Sequence, residues 1–110
     1  MTTYKESHPD LEKRKQDSQQ IRDKYPDRVP VICEKNAKSK LPEIDKSKFL
    51  VPNDLNAYHF TAIVRKRITL PETTTMYFFV NGKYLLKGDS LISDIYKQRA
   101  DPDGFLYIIY

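Results

Sequence analysis

Apolar residues recur along this chain with two periods, and each period predicts a different kind of element. Between residues 55 and 68 they return at three- and four-residue steps, which is the spacing of one face of an α-helix. That stripe consists of Phe60, Ile63, Val64 and Ile68. The sequence therefore predicts a core-facing helix over about 55–68, capped at its start by Asp54 and ended at Pro71.

Shorter apolar runs bounded by turn residues predict strands. They cover residues 28–34, 48–51, 76–80 and 105–110. Asn81-Gly82 predicts a tight turn into a minor strand over 83–86, because both residues tolerate positive φ. The last run is apolar throughout, which predicts a central strand covered on both faces. A short helix capped by Asp89 or Ser90 is predicted before it.

Residues 1–27 are highly charged and differ from the rest of the chain. They predict a helix from Leu11 to Lys24 whose apolar positions are sparse. Such a helix packs on the outside of a domain that already has its own core. The order of elements is then helix followed by β-β-α-β-(β)-α-β, which predicts an α+β fold with a mixed sheet and ubiquitin-like topology. We accordingly expect an N-terminal helical extension over 1–27 and a ubiquitin-like domain over 28–110.

Alternation along the first two predicted strands assigns their side chains to faces of the sheet. Pro30 argues against a central place for the first strand, because proline has no amide hydrogen to donate. In that strand Val29, Val31 and Cys33 face one way, and Pro30 and Ile32 face the other. In the second strand Lys48 and Leu50 face one way, and Phe49 and Val51 face the other.

Composition adds a charge bias and excludes several classes of function. The net charge is +4, and the excess lies in residues 29–70, which hold eight basic and four acidic side chains. Such a surface favours acidic peptides, anionic lipid or nucleic acid. No apolar run reaches the length of a transmembrane helix, and the single cysteine, Cys33, predicts a reducing compartment and a buried structural thiol. The chain carries no nucleotide-binding loop, catalytic triad or metal-ligand spacing, so no enzymatic activity, cofactor or metal is expected.

Six segments then occur in an order typical of one family. They are Glu12-Lys-Arg-Lys15, YPDRVPVICEK from Tyr25, LPEIDK from Leu41, KFLVP from Lys48, Arg65-Lys-Arg67 and DGFLY from Asp103. This series resembles the GABARAP family of autophagy ubiquitin-like modifiers, and it spans nearly the whole chain. The resemblance implies a ubiquitin-like β-grasp roll with two N-terminal helices added.

The resemblance also implies a function. Members of this family are joined through a C-terminal glycine to phosphatidylethanolamine, with activating and conjugating enzymes and a processing cysteine protease as partners. They are cytoplasmic, and when lipidated they lie on the autophagosome membrane and recruit receptors and adaptors. Recruitment uses short peptides that carry an aromatic residue, two spacers and an aliphatic residue. The last residue here is Tyr110, and Gly104 belongs to a turn, so this chain as written cannot form the lipid conjugate. Either the lipidation glycine lies in a longer parent protein, which we favour, or this is an unconjugated relative.

By resemblance, two pockets flank the second strand, whose backbone would pair with the peptide. The aromatic pocket is lined by Asp17, Ile21, Pro30, Ile32, Lys48, Leu50 and Phe105. The aliphatic pocket is lined by Phe49, Val51, Pro52, Leu55, Phe60, Ile63 and Arg67. Contacts with acidic residues that flank the anchors are assigned to Arg28, Lys46, Lys48 and Arg67.

The residues alone also allow a second class of function. Basic charge and aromatic-rich strands suit a basic ubiquitin-like or RNA-binding module without lipid conjugation. The chain lacks the alternating basic and aromatic residues of an RRM strand, and its element order differs from that fold. We therefore expect peptide partners rather than nucleic acid.

Overall fold

The computed structural model describes residues 3–70 and 73–110, which contain four helices and five strands. The elements are α1 (Tyr4–Ser7), α2 (Leu11–Lys24), β1 (Arg28–Glu34), β2 (Lys48–Pro52), α3 (Ala57–Ile68), β3 (Phe79–Val80), β4 (Tyr84–Leu85), α4 (Ile92–Arg99) and β5 (Leu106–Ile109). The strands form one mixed sheet in the order β2-β1-β5-β3-β4. Strands β1 and β5 run parallel, and the other neighbouring pairs run antiparallel. The expected α+β ubiquitin-like roll with a central last strand is confirmed.

The two faces of the sheet are covered by different helices, as the alternation of side chains predicts. On one face, the odd-numbered residues of β1 and the side chains of Phe49 and Val51 join a buried cluster with Phe60 and Val64 of α3. On the other face, a second buried cluster consists of Ile32, Phe105 and Tyr107 with Tyr4 of α1, and Ile21 of α2 packs against it. The side chains of β2 therefore alternate between the face covered by α3 and the face covered by α1 and α2.

Helix α2 is held to the sheet by polar contacts rather than by an apolar stripe. Its buried residues are Arg14 and Ser18. Arg14 Nε donates to Asp103 Oδ2 over 3.0 Å, and the Ser18 hydroxyl donates to the Asp103 carbonyl over 2.5 Å. The Tyr107 hydroxyl donates to the same Oδ2 over 2.6 Å, and the Phe105 amide donates to Oδ1 over 2.9 Å. Because Asp103 is fully buried, this cluster of hydrogen bonds sets the position of α2 against the start of β5.

Helices α3 and α4 begin later than the sequence predicts. Helix α3 starts at Ala57, and its cap is Asn56, whose side chain accepts from the His59 amide; the prediction of Asp54 as the cap is wrong. The Leu55 carbonyl accepts from the Ile92 amide, and the Ser90 carbonyl accepts from the Ala57 amide. Each helix start is thus satisfied by the segment that precedes the other helix, a long-range pairing that local capping signals do not show.

The start of α4 follows from the same pairing. Its N-terminal flanking residue is Leu91, which makes no side-chain cap, so the prediction of Asp89 or Ser90 is wrong. An isolated bridge pairs Leu91 with Asn56 and keeps the chain extended up to that residue. Pro71, which was expected to end α3, lies outside the described residues.

Three further predictions are modified by the structure. The strand predicted over 76–80 is limited to Phe79–Val80, because β5 offers pairing only as far as Ile109. Ile63 is 45% exposed and does not belong to the core stripe of α3. Pro30 is tolerated in an internal strand, because the ladder with β5 begins at Val31 and no amide is required at Pro30.

Candidate functional site

The outer edge of β2 carries backbone groups that point away from the sheet. The Cys33 amide donates to the Ser47 carbonyl, and the Asn53 amide donates to the Asp27 carbonyl, so odd-numbered residues of β2 exchange hydrogen bonds with β1. Because hydrogen bonding alternates along an antiparallel pair, the amides and carbonyls of Lys48 and Leu50 face outward. Within residues 3–70 and 73–110, β1 is the only strand paired with β2. This edge can accept an extended peptide as a further strand.

The predicted aromatic-pocket residues come together on the α2 side of β2. Ile21, Lys48 and Leu50 line a hollow of about 590 Å³ beside the open edge. Asp17 and Ile21 line an adjoining hollow with Lys48. Deeper in, Phe105 is fully buried, and the Lys48 ammonium lies 5.8 Å from the centre of its ring. Pro30 and Ile32, also buried, are the β1 partners of Leu50 and Lys48.

The predicted aliphatic-pocket residues come together on the α3 side. The rings of Phe49 and Phe60 meet edge to face with their centroids 5.7 Å apart. Both rings and Val51 are buried, whereas Ile63, three residues after Phe60 in α3, is 45% exposed. Leu55 packs against this cluster, and Pro52 is half-buried at the end of β2. Most residues of this set are therefore core, and Ile63 is its exposed apolar member.

The cations assigned to acidic flanks are already engaged within the protein. Arg67 makes a two-pronged ion pair with Asp45, with Nε to Oδ1 and Nη2 to Oδ2 both at 3.2 Å. The Lys46 ammonium and the Arg67 guanidinium lie 5.5 Å and 5.9 Å from the centre of the Phe49 ring. Arg28 Nη1 donates to the outward-facing Leu50 carbonyl over 3.2 Å. A docking peptide would therefore exchange these contacts for its own, which lowers the net gain from each charge.

The sequence analysis missed Arg14, Ser18 and Asp103, the residues that hold α2 beside the pocket. Burial and the hydrogen bond to the Asp103 carboxylate raise the pKa of Tyr107 well above its usual range. Asp101, in the same turn, pairs with Lys5 of α1 over 2.6 Å. The turn signal Asp-Pro-Asp-Gly was visible in the sequence, but its buried ion pair joins residues 89 positions apart.

Tyr4 was also missed, although it is buried in the same cluster as Phe105. It is 6% exposed, and its ring meets Phe105 edge to face with centroids 5.4 Å apart. The Lys48 ammonium lies 5.7 Å from the centre of the Tyr4 ring. Burial raises the pKa of the Tyr4 hydroxyl, and the carboxylates of Asp17 and Asp103 act in the same direction. No periodic pattern marks a single aromatic residue in a four-residue helix.

A mixed β-grasp sheet with added N-terminal helices and one open edge at β2 defines the class of ubiquitin-like proteins. Comparison with known families agrees with this class. The family model for the autophagy protein Atg8, described as ubiquitin-like, matches residues 13–110. The chain belongs to this family and is an autophagy ubiquitin-like modifier, which confirms the resemblance seen in the sequence.

Individual relatives match over nearly the whole chain. Autophagy-related protein 8 of Pichia angusta is 50% identical over 107 residues, which cover 97% of this chain and 84% of the relative. Its counterpart in Saccharomyces cerevisiae is 48% identical over 109 residues, which cover 99% and 92%. Autophagy-related protein 8e of Arabidopsis thaliana is 48% identical over 101 residues, which cover 92% and 82%.

A solved structure supports the fold independently. The crystal structure of Trypanosoma brucei ATG8 superposes with a TM-score of 0.89 at 35% sequence identity, and the match covers 99% of this chain and 93% of that one. Among the described residues, none of the helices has the length and apolar character needed to cross a bilayer.

Proposed function

We propose that this autophagy modifier recruits receptors and adaptors by adding a short extended peptide to the edge of β2. The peptide would place an aromatic side chain in the pocket between α2 and β2 and an aliphatic side chain between β2 and α3. The observation that carries this proposal is the outward-facing backbone of Lys48 and Leu50, flanked by the hollow that Ile21 helps to line. Main-chain hydrogen bonds give such a complex affinity, and the side-chain pockets give it specificity.

The expected strength of this contact is modest. An aromatic anchor that buries roughly 150–250 Å² gains about 4–6 kcal/mol at 25 cal/mol per Å². An aliphatic anchor adds about 2 kcal/mol, and ordering the peptide costs several kcal/mol. Anchor burial alone therefore leaves only a few kcal/mol, and the main-chain hydrogen bonds to β2 must supply the rest of the about −8 kcal/mol that a dissociation constant near 1 μM requires. Many copies on one membrane would multiply this weak, reversible contact.

A titration of the protein with a labelled peptide tests the proposal. The peptide carries Trp-x-x-Leu after two acidic residues, and a second peptide has both anchors replaced by alanine. Leu50→Ala should weaken binding of the first peptide about tenfold and leave the melting temperature nearly unchanged, because Leu50 is only half-buried. Leu85→Ala, on the exposed opposite edge of the sheet, is the matched control and should have no effect on binding.

The same assay separates the peptide function from the nucleic-acid alternative. Titrations with RNA oligomers at several salt concentrations would show steep salt dependence if phosphate contacts dominated. Salt-dependent RNA binding together with no binding of the aromatic-x-x-aliphatic peptide would overturn the proposal. Equal losses of stability and binding in Leu50→Ala would show instead that the residue serves the core.

The finer cellular role is likewise our proposal. We infer that a parent form extended to a C-terminal glycine is conjugated to phosphatidylethanolamine by activating and conjugating enzymes after cysteine-protease processing. The protein would then move between the cytoplasm and the autophagosome membrane and would act as a scaffold, not as an enzyme. Family membership supports this inference. Incubation of the extended form with those enzymes and phosphatidylethanolamine vesicles, followed by mass measurement of the product, tests it.

A further inference from the structure

An ion pair joins the segment before β2 to the last turn of α3. Asp45 is the third residue before β2, and Arg67 lies near the end of α3. Arg67 Nε donates to Asp45 Oδ1 and Nη2 donates to Oδ2, both over 3.2 Å. The guanidinium lies 5.9 Å from the ring centre of Phe49, the neighbour of Lys48 in β2. A carboxylate of the protein itself therefore lies where an acidic peptide residue would meet Arg67.

This pair uses a complete binding edge of the guanidinium. Arginine presents its N–H groups in a fixed planar fork, and one carboxylate fits two of them at once. Both oxygens of Asp45 lie on the edge formed by Nε and Nη2, so a peptide carboxylate that seeks this edge must replace Asp45. The negative charge of Asp45 also repels a second carboxylate that approaches the same position.

The segment that carries Asp45 is anchored to the domain on both sides of this residue. Ile44 packs against the main core. The Ser47 carbonyl accepts from the Cys33 amide over 2.8 Å. A peptide carboxylate loses side-chain freedom when it binds, whereas the backbone that presents Asp45 to Arg67 is already ordered.

The two lysines beside β2 are in a different state. Within residues 3–70 and 73–110, neither Lys46 nor Lys48 forms an ion pair with a carboxylate. Their ammonium groups lie over aromatic rings instead, Lys46 at 5.5 Å from the centre of Phe49 and Lys48 at 5.8 Å from the centre of Phe105. An ammonium group has three donors, so one over a ring can still donate to a carboxylate. The cations of the groove therefore differ in their readiness to accept an acidic residue.

We propose that Asp45 is a specificity-determining residue that masks Arg67 from acidic residues of the bound peptide. The proposal rests on the peptide-binding function proposed above and assigns its charge preference to particular groups. Lys46 and Lys48 accept acidic residues, whereas the Arg67 side of the groove favours neutral ones. The protein thus selects peptides by the position of their acidic residues as well as by their total charge. An internal competitor of this kind gives specificity by opposing the wrong ligand.

Binding titrations of the full chain with two peptides test the proposal. Both peptides contain Trp-x-x-Leu; one has aspartate at the spacers and at the two positions on each side of the anchors, and the other has serine there. Asp45→Asn should tighten binding of the aspartate peptide about three- to fivefold, the range that an exposed ion pair allows. It should not change the affinity for the serine peptide. The matched control is Glu43→Gln, which removes the same charge beside Lys35 and should change neither affinity.

A double-variant cycle shows whether the effect passes through Arg67. In an Arg67→Met background, Asp45→Asn should bring no further gain for the aspartate peptide, because the masked cation is absent. The Asp45 side chain is 71% exposed, so Asp45→Asn should melt close to the wild type.

Four results would overturn the inference and leave the proposed function intact. They are an unchanged affinity of Asp45→Asn for the aspartate peptide, a weaker one, an equal gain in Glu43→Gln, and a gain that persists with Arg67→Met. The last two would mean that the charge acts through the general field of the protein. Failure of the wild type and every variant to bind either peptide would overturn the inference and the proposed function together.

Discussion

Replacing Asp103 by alanine should destabilise this protein far more than replacing Asp101, its near neighbour in the same turn. Asp103 is fully buried and accepts from Arg14, Tyr107 and the Phe105 amide. Without Asp103, the Arg14 guanidinium has lost its carboxylate partner, and the Arg14 side chain is only 10% exposed. Breaking a buried pair by removing one partner costs about 3–5 kcal/mol, because the remaining charge is uncompensated.

The comparison with Asp101 sets the scale of this effect. The Lys5 side chain of the Lys5–Asp101 pair is 46% exposed, so solvent screens the interaction. Loss of that pair should cost less than about 1 kcal/mol. For a chain of 110 residues, each kcal/mol corresponds to roughly 4 °C in melting temperature, so Asp103→Ala should lower it by about 12–20 °C. Urea unfolding followed by circular dichroism measures both variants under the same conditions.

A double variant checks the cause of the destabilisation. Arg14→Met with Asp103→Asn leaves no isolated charge, and the asparagine oxygen can still accept from the Phe105 amide. The double variant should therefore lose less stability than the sum of the two single changes. Additive losses, or equal losses for Asp101→Ala and Asp103→Ala, would refute the reasoning. Because α2 carries Ile21 beside the pocket, Asp103→Ala should also weaken peptide binding.

Three further outcomes follow from single groups. Tyr4→Phe removes the unpartnered buried hydroxyl and should raise the unfolding free energy by about 1 kcal/mol; a loss of stability in urea would mean that the hydroxyl has a partner. Burial favours a raised pKa for Asp101, but hydrogen bonds from Lys5 and the Asp103 amide outweigh it and hold the pKa below its usual value. The wild type should therefore be more stable than Asp101→Asn at pH 7, and this difference should decline as the pH falls below about 4. Urea titrations at several pH values measure the difference. Burial raises the pKa of Cys33 to about 12, so the thiol should resist alkylation at pH 8 in the native protein and react once the protein is unfolded, whereas rapid native alkylation would contradict its burial.

The sequence predicts β1, β2 and α2 well because their signals are local. The apolar run of β1 gives the bounds Arg28–Glu34, and Tyr25-Pro26 ends α2 at Lys24. Alternation along β2 assigns Lys48 and Phe49 to opposite faces, and burial in the structure follows the same alternation. The bounds of β1 and α2 and the alternation along β2 all depend on residues within a few positions of one another, which is the range that periodicity describes.

The parts that sequence analysis missed depend on contacts between distant residues. Asn56 rather than Asp54 caps α3, because residues 55–57 pair with the segment before α4 and hold the chain extended there. The role of Asp103 depends on Arg14, and the position of Tyr4 depends on Phe105 and Glu34. Proximity of this kind is set by the fold as a whole and leaves no repeat or spacing in the sequence.

The two sides of β2 differ in what holds them together, and this difference should separate the effects of mutations on the two proposed pockets. The α3 side is the main core, where Phe49 and Phe60 are buried among many apolar neighbours. On the other side of β2 lies α2, which docks through polar contacts to the turn before β5. Apolar packing is non-directional and resists local change, whereas a polar cluster loosens when one partner is lost. Changes in the polar cluster should therefore alter selection of the aromatic anchor while the aliphatic side of the groove keeps its form.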